Sequence, residues 1–179
     1  MTEELRTRRL ILRRWREEDK VPFAALNADA QVMQYFVKPL TRDESDAGVD
    51  RQIAHFNEHG WGLWAVEVAT SHEFIGFVGL WQPDWDPSLV EVGWRLAKEH
   101  WGFGYAPEAA SAVIDDGFER LGLDEIVSFT SVLNLKSQRV MQKIGMTRDP
   151  ADDFEHPNVP EGNELRPHVL FRIRANHRP

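Results

Sequence analysis

The sequence predicts a single α/β domain. Three observations carry that expectation. Short stretches alternate between apolar and polar residues or form apolar runs of strand length, as at Trp61–Ala69 and Phe74–Trp81. Ala106–Leu121 has apolar residues at helical spacing, namely Ala110, Val113, Ile114, Phe118 and Leu121. No internal repeat, linker or low-complexity tract divides the 179 residues, a length that suits one domain.

In chain order, alternation around Leu10–Trp15 reads as an opening strand. Asp19 precedes a short helical stretch through Phe23 and Leu26, and a second is expected from about Ala30 to Tyr35. Thr41 and Glu44 have capping-box spacing, so a helix starts there, and Gly60 stops it. With only Ile53 and Phe56 to bury, that helix is expected on the surface. Trp61–Ala69 and Phe74–Trp81, joined by a polar turn, form a hairpin whose second strand is the more buried. Gln82–Ser88 is a loop, and Val90–Leu96 a strand. Pro107 suits the first turn of the helix that follows, and Gly122 suits its stop. Ile126–Thr130 is a strand, Asn134 caps a helix reaching Ile144, and Val169–Ile173 is the last strand, beyond a long Asp-, Pro- and Glu-rich segment.

Composition narrows the function. Hydrophobic residues make up 42% and charged residues 28%, ordinary for a globular protein. No apolar run approaches the roughly 20 residues that span a bilayer. Met1–Arg16 lacks the apolar block of a signal peptide, and the chain has no cysteine, which excludes disulfides, thiolate metal sites and a cysteine nucleophile. A cytoplasmic location is expected. The net charge of −8 argues against nucleic-acid binding. The basic cluster Arg6, Arg8, Arg9, Arg13, Arg14 and Arg16 alternates with apolar residues and reads as a strand with a solvated edge. The histidines are scattered. His55 and His59 lie four apart but lack the glutamate of a zinc-protease motif, so they read as surface residues and no metal is expected. Of the tryptophans, Trp61, Trp64, Trp81 and Trp94 read mostly as core, whereas Trp85, in a polar loop, is a candidate pocket wall.

The informative stretch is Val90–Ala106. A strand runs into a loop holding Gly102 and Gly104, and a helix begins at once. The first turn of a helix has unpaired N–H groups and the positive end of the dipole. Glycines let a ligand approach the backbone there, making a site for a pyrophosphate. The spacing is not that of a dinucleotide fold, because the third glycine position is Pro107, and no Gly-Lys-Ser/Thr is present for a P-loop.

Three segments resemble the GNAT acetyltransferase superfamily, and within it the ribosomal-protein N-terminal acetyltransferase branch (the RimJ/RimL type). They are VEVGWRLAKEHWGFGYAPEA (90–109), Asn134-Leu-Lys-Ser137 with VMQKIGM (140–146), and TRRLILRRW (7–15) with FIGFVGL (74–80). The resemblance implies an α/β (α+β) GNAT fold over residues 1–179: a single, mixed, mostly antiparallel sheet of about seven strands flanked by helices, splayed between strands 4 and 5. It implies acetyl-CoA as cosubstrate, its pantetheine arm admitted between Val90–Leu96 and Ile126–Thr130. The cofactor-binding residues expected are Val92, Trp94, Trp101, Gly102, Phe103, Gly104, Tyr105, Ala106, Asn134 and Ser137. Trp101 stands where the superfamily usually has Gln or Arg, and Met141 where many members carry a tyrosine acid.

The activity implied is transfer of an acetyl group to a primary amine by direct attack, the acceptor being a protein N-terminal α-amine or a small molecule. Glu91 is the candidate proton acceptor and Ser137 the candidate donor to the leaving thiolate; the plainer readings are a solvent-facing strand glutamate and a helix-surface serine. Asn134 is a helix cap, with or without a part in ordering the cofactor. The partners expected are the amine acceptor, no nucleic acid and no membrane, with a homodimer as one assembly. A non-catalytic acyl-CoA-binding sensor is the alternative.

Overall fold

The computed structural model describes residues 3–177. One nine-stranded sheet runs through them in the order β1-β2-β3-β4-β5-β6-β9-β7, with β8 paired to β9. Its strands are β1 (Glu4–Arg6), β2 (Leu10–Arg13), β3 (Leu63–Val68), β4 (Phe74–Trp81), β5 (Glu91–Leu96), β6 (Glu125–Ser131), β7 (Thr147–Arg148), β8 (Phe154–Glu155) and β9 (Pro167–Arg174). The helices are α1 (Lys20–Ala28), α2 (Arg42–His59), α3 (Tyr105–Glu119) and α4 (Leu135–Lys143). Every neighbouring pair is antiparallel except β5 and β6. The count is nine rather than about seven, and β1, β7 and β8, only two or three residues long, are too short to show a period in the sequence.

The local signals placed most elements well. Thr41 Oγ1 accepts from the Glu44 N–H while the Glu44 carboxylate accepts from the Thr41 N–H, and Gly60 ends α2 in the left-handed conformation at φ 73°. Two expectations fail. Residues 30–35 form turns, not a helix, with Met33 N–H donating to the Asp29 carbonyl and Phe36 N–H to that of Met33. In addition, α2 is not a mere surface helix, since Val49 and Ser45 are fully buried beside Phe56. The core lies between the sheet and its helices, where Leu10, Leu12, Val66, Val78 and Val92 meet Ala109, Ala110, Val113 and Ile114 of α3.

Nor is the N-terminal basic cluster a solvated edge throughout. Arg13 is buried, its Nε donating to Glu67 at 2.6 Å and its Nη1 and Nη2 to Asp19 at 2.8 Å. Burial alone would lower its pKa, but the two carboxylates outweigh that and raise it. Arg9 instead reaches across to α3, donating to Glu108 and to the Phe103 carbonyl. That clamps the glycine loop to the opening strands.

Two glycines of β4 set how closely its neighbours approach. A Cβ at Gly76 would collide with the Arg95 carbonyl oxygen, and one at Gly79 with the Gly62 carbonyl oxygen. Gly76 thus lets β5 lie flush against β4 where Arg95 leaves the strand toward the site.

Candidate functional site

The sheet opens at its only parallel pairing. β5 and β6 share a single register pair, Glu91 with Val127, supported by the Val127 N–H donating to the Val90 carbonyl at 2.9 Å. Beyond Glu91 the two edges separate, as the expected splay requires. A cavity of about 760 Å³ occupies the gap and extends to the start of α3, the start of α4 and the turn at residues 32–37.

Glycine chemistry shapes one end. Gly102 (φ 83°) and Gly104 (φ 80°) are both left-handed, a conformation other residues take only with strain. A Cβ on Gly102 would meet open space, and one on Gly104 would meet only Arg9 Nη2 at 3.5 Å, so backbone conformation sets the preference here. Gly104 is the N-cap of α3 and no side chain caps the helix. The first-turn amides, which a helix cannot satisfy internally, stand where Gly104, Tyr105 and Ala106 line the cavity. Lys136, Arg139 and Lys143 of α4 line it too, Lys136 lying over the Trp101 ring at 4.3 Å. Sequence reasoning did not assign these cations; their spacing on α4 becomes informative only once α4 is known to stand beside the glycine loop.

Of the residues expected at the site, Glu91, Trp94, Trp101, Gly102, Gly104, Tyr105, Ala106, Asn134 and Ser137 line this one cavity. Two do not. Val92 is fully buried among core residues, leaving only its backbone for a ligand. The Phe103 ring is 58% exposed and stacks on Tyr105. The Trp101 indole N–H is engaged within the protein, donating to the Leu96 carbonyl at 2.8 Å.

Asn134 has its side chain committed. Its Oδ1 accepts from the Ser137 N–H at 3.2 Å, which fixes the amide orientation, and Nδ2 donates to Thr130 Oγ1 at 3.0 Å and to Ser137 Oγ at 3.1 Å. Because Ser137 Oγ accepts from Asn134, the serine's own proton is free to donate into the cavity. Met141, 1% exposed, lines the cavity and has no proton to give.

Among the described residues, Glu91 is the only acidic one lining the cavity. Surrounding protein withdraws it from bulk water, and that burial pushes its carboxyl up to about 8. A further wall was not foreseen. His156 and His168, twelve residues apart, are brought by β8–β9 pairing to a ring separation of 4.7 Å, and both line the cavity. Burial, with His168 nearby, lowers His156 to about 4, and burial lowers His168 as well. Trp85 packs behind them on Phe129, Phe154 and His156 rather than lining the cavity itself. Trp64 is core, while Trp81 and Trp94 reach the cavity. The His55 and His59 rings pack at a tilt, 4.4 Å apart, and His55 packs likewise against Trp81. Among the described residues no group of three His, Cys, Asp or Glu converges as metal ligands.

An open, mostly antiparallel sheet parted at one parallel pair, with an uncapped glycine-led helix beside the gap, is an acetyltransferase architecture. The chain belongs to the acetyltransferase (GNAT) domain family, whose model matches residues 9–147. It is similar to the uncharacterised protein YkkB of Bacillus subtilis, 32% identical over 145 residues, covering 80% of this chain and 84% of that protein. It is 28% identical over 157 residues to the FsC-acetyl coenzyme A-N(2)-transacetylase of Aspergillus fumigatus, covering 78% of this chain and 63% of the relative. Among solved structures, an acetyltransferase from Agrobacterium tumefaciens superposes with a TM-score of 0.79 at 29% identity, covering 97% of this chain and 95% of that one. The protein is an acetyltransferase. No helix among the described residues is long and apolar enough to cross a membrane.

Proposed function

We propose that this chain, acting as one acetyltransferase domain, is an acetyl-CoA-dependent N-acetyltransferase of the ribosomal-protein N-terminal acetyltransferase type. Its acceptor is a primary amine on a protein N-terminus or a small molecule. One observation carries the reading: Glu91, an uncapped helix start and the Ser137 hydroxyl open into the same cavity at the point where β5 and β6 part. The similarity to a relative named for acetyl coenzyme A supports the donor, and residues 90–109 support the branch.

The residues present fit that donor. The α3 amides and the α4 cations would hold its phosphates, and the unpaired edges of β5 and β6 would take the amides of its arm. Acetyl-CoA, when bound, supplies a thioester whose carbonyl carbon the amine attacks, the C–N bond forming as the C–S bond breaks. The Glu91 carboxylate takes the proton that the amine must lose, directly or through water. A backbone N–H at the β5 edge stabilises the negative charge that develops on the carbonyl oxygen. Ser137 donates to the departing sulfur, a modest demand because a free thiol has a pKa near 8.5. His156, its pKa lowered to about 4, is neutral near pH 7 and packs as a wall rather than serving as an acid.

Thiol release from acetyl-CoA, measured against peptides with varied N-termini, polyamines and aminoglycosides, tests the assignment. Turnover with at least one amine is expected. Tight acetyl-CoA binding with no thiol release from any acceptor would instead make the chain a sensor.

A further inference from the structure

Arg95, half-buried, is the one guanidinium lining the cavity from β5, and its surroundings are unlike those of the buried Arg13. Arg13 has two carboxylates. Arg95 makes no ion pair among the described residues. Its Nη1 donates to Asn27 Oδ1 at 2.6 Å, and Asn27 Nδ2 donates in turn to Ser45 Oγ at 2.9 Å, both residues being fully buried. Its Nε is buried with no hydrogen-bond partner. The Phe36 ring lies 4.1 Å from its Cζ and the Phe77 ring 5.5 Å. The guanidinium is therefore held in place by a neutral network rooted in α1 and α2 and by two aromatic rings. No carboxylate among the described residues neutralises it, and burial lowers its pKa to about 10, leaving it charged at neutral pH.

A cation taken out of water is costly unless an anion or strong acceptors compensate it. Glu91 does not do so. It lies four residues away on the same strand face, roughly 13 Å along the strand at about 3.3 Å per residue, and its raised pKa reflects burial with no contribution from Arg95. The proton-accepting carboxylate and the unneutralised guanidinium thus stand at separate points of one cavity, with the Phe36 turn closing over the second.

We propose that Arg95 forms an anion-binding subsite in the acceptor part of the cavity, selecting amines that also carry a carboxylate several bonds from the reacting nitrogen. The proposal rests on the acetyltransferase reading for the position of the amine. The carboxylate belongs either to a free ω-amino acid or to an acidic side chain near a peptide N-terminus, and the two sources share the recognition chemistry of a charge-assisted, fork-like contact.

The test uses matched pairs that differ only in that charge. Straight-chain ω-amino acids from β-alanine to 6-aminohexanoate are compared with their primary amides, and C-terminally amidated dipeptides with Glu at the second position with those bearing Gln. Wild type is expected to favour the carboxylate in at least one arm by about 10- to 100-fold in kcat/KM, the range for hydrogen bonds to a charged group. The arm that discriminates identifies the source. Arg95→Met should bring that ratio to about one while leaving acetyl-CoA affinity and turnover of the uncharged member unchanged, which a merely structural arginine would not do. If Arg95→Met does not fold, Arg95→Lys decides, with a reduced ratio expected. No discrimination in either arm, or a ratio untouched by the substitution, overturns the subsite. Calorimetric binding of N-acetyl-6-aminohexanoate against its amide, with and without Arg95, reads the subsite independently of turnover. Arg95-dependent binding without thiol release from any amine would retain the subsite and remove the acetyltransfer reading.

Discussion

Glu91 is the residue on which pH acts most directly. With its carboxyl pushed up to about 8 by burial, it is mostly protonated at neutral pH, and the fraction able to accept a proton grows as pH rises through that value. Turnover under saturating acetyl-CoA should therefore rise with pH through about 8 and level off. Glu91→Gln should lower the plateau and abolish that limb; a variant with the same profile would move proton transfer to water. The same shift bears on stability. Because the folded pKa lies above the ordinary value of 4.5, the native state binds the extra proton between the two. Its advantage falls as pH rises through that window, so Glu91→Gln should melt above the wild type at pH 9 and close to it at pH 4.

Ser137 stands one turn into α4, with its oxygen accepting from Asn134 and its proton uncommitted. Ser137→Ala should slow turnover by about 10- to 100-fold, the low end of acid–base contributions, and leave acetyl-CoA affinity nearly intact. A loss of affinity at unchanged saturated turnover would make Ser137 a binding contact. No change in either would return it to the helix surface.

At the scale of the element, the start of α3 works because Gly104 is left-handed and uncapped. Gly104→Val places a β-branched residue at φ 80°, which costs about 1–2 kcal/mol or more and turns the first-turn amides away. The Cβ itself has room, so the helix should persist and circular dichroism should be unchanged. Calorimetry should then find no measurable acetyl-CoA binding; an unaltered affinity in a folded variant would remove the glycine loop from the site. The loop is backed by Arg9, which ties it to β2 and to Glu108, so its geometry depends on strands far away in sequence.

For the whole molecule, the cavity lies between the half of the sheet ending at β5 and the half beginning at β6, which share one register pair. A ligand bridging that gap adds contacts the native state alone makes available. At 100 times its dissociation constant, such a ligand stabilises by about 2.7 kcal/mol. For a chain of this size that is roughly 5–10 °C in melting temperature. Acetyl-CoA should produce a shift of that order, and Gly104→Val should lose it. A wild type whose melting point ignores saturating acetyl-CoA would overturn the assignment of the cavity.

Local order was enough to locate α2 by its capping box, α3 by its apolar stripe and glycine loop, and α4 by Asn134, because caps and periodicity depend on neighbours a few residues apart. The same nearness placed Ser137 beside Asn134, whereas Glu91, at the far end of β5 from the glycine loop, shares with that loop only the cavity. Packing decided the rest. The turn at residues 30–35 has apolar residues that read as a helix, yet Val32 and Met33 are buried from an irregular backbone. Arg13 looked like its exposed neighbours until Asp19 and Glu67 closed on it from other elements. His156 and His168 meet only through strand pairing, and Arg95 is left without a carboxylate only by the way α1, α2 and β4 surround it. Those are contacts between residues distant in the chain, set by which faces the sheet buries, and no spacing along the sequence encodes them.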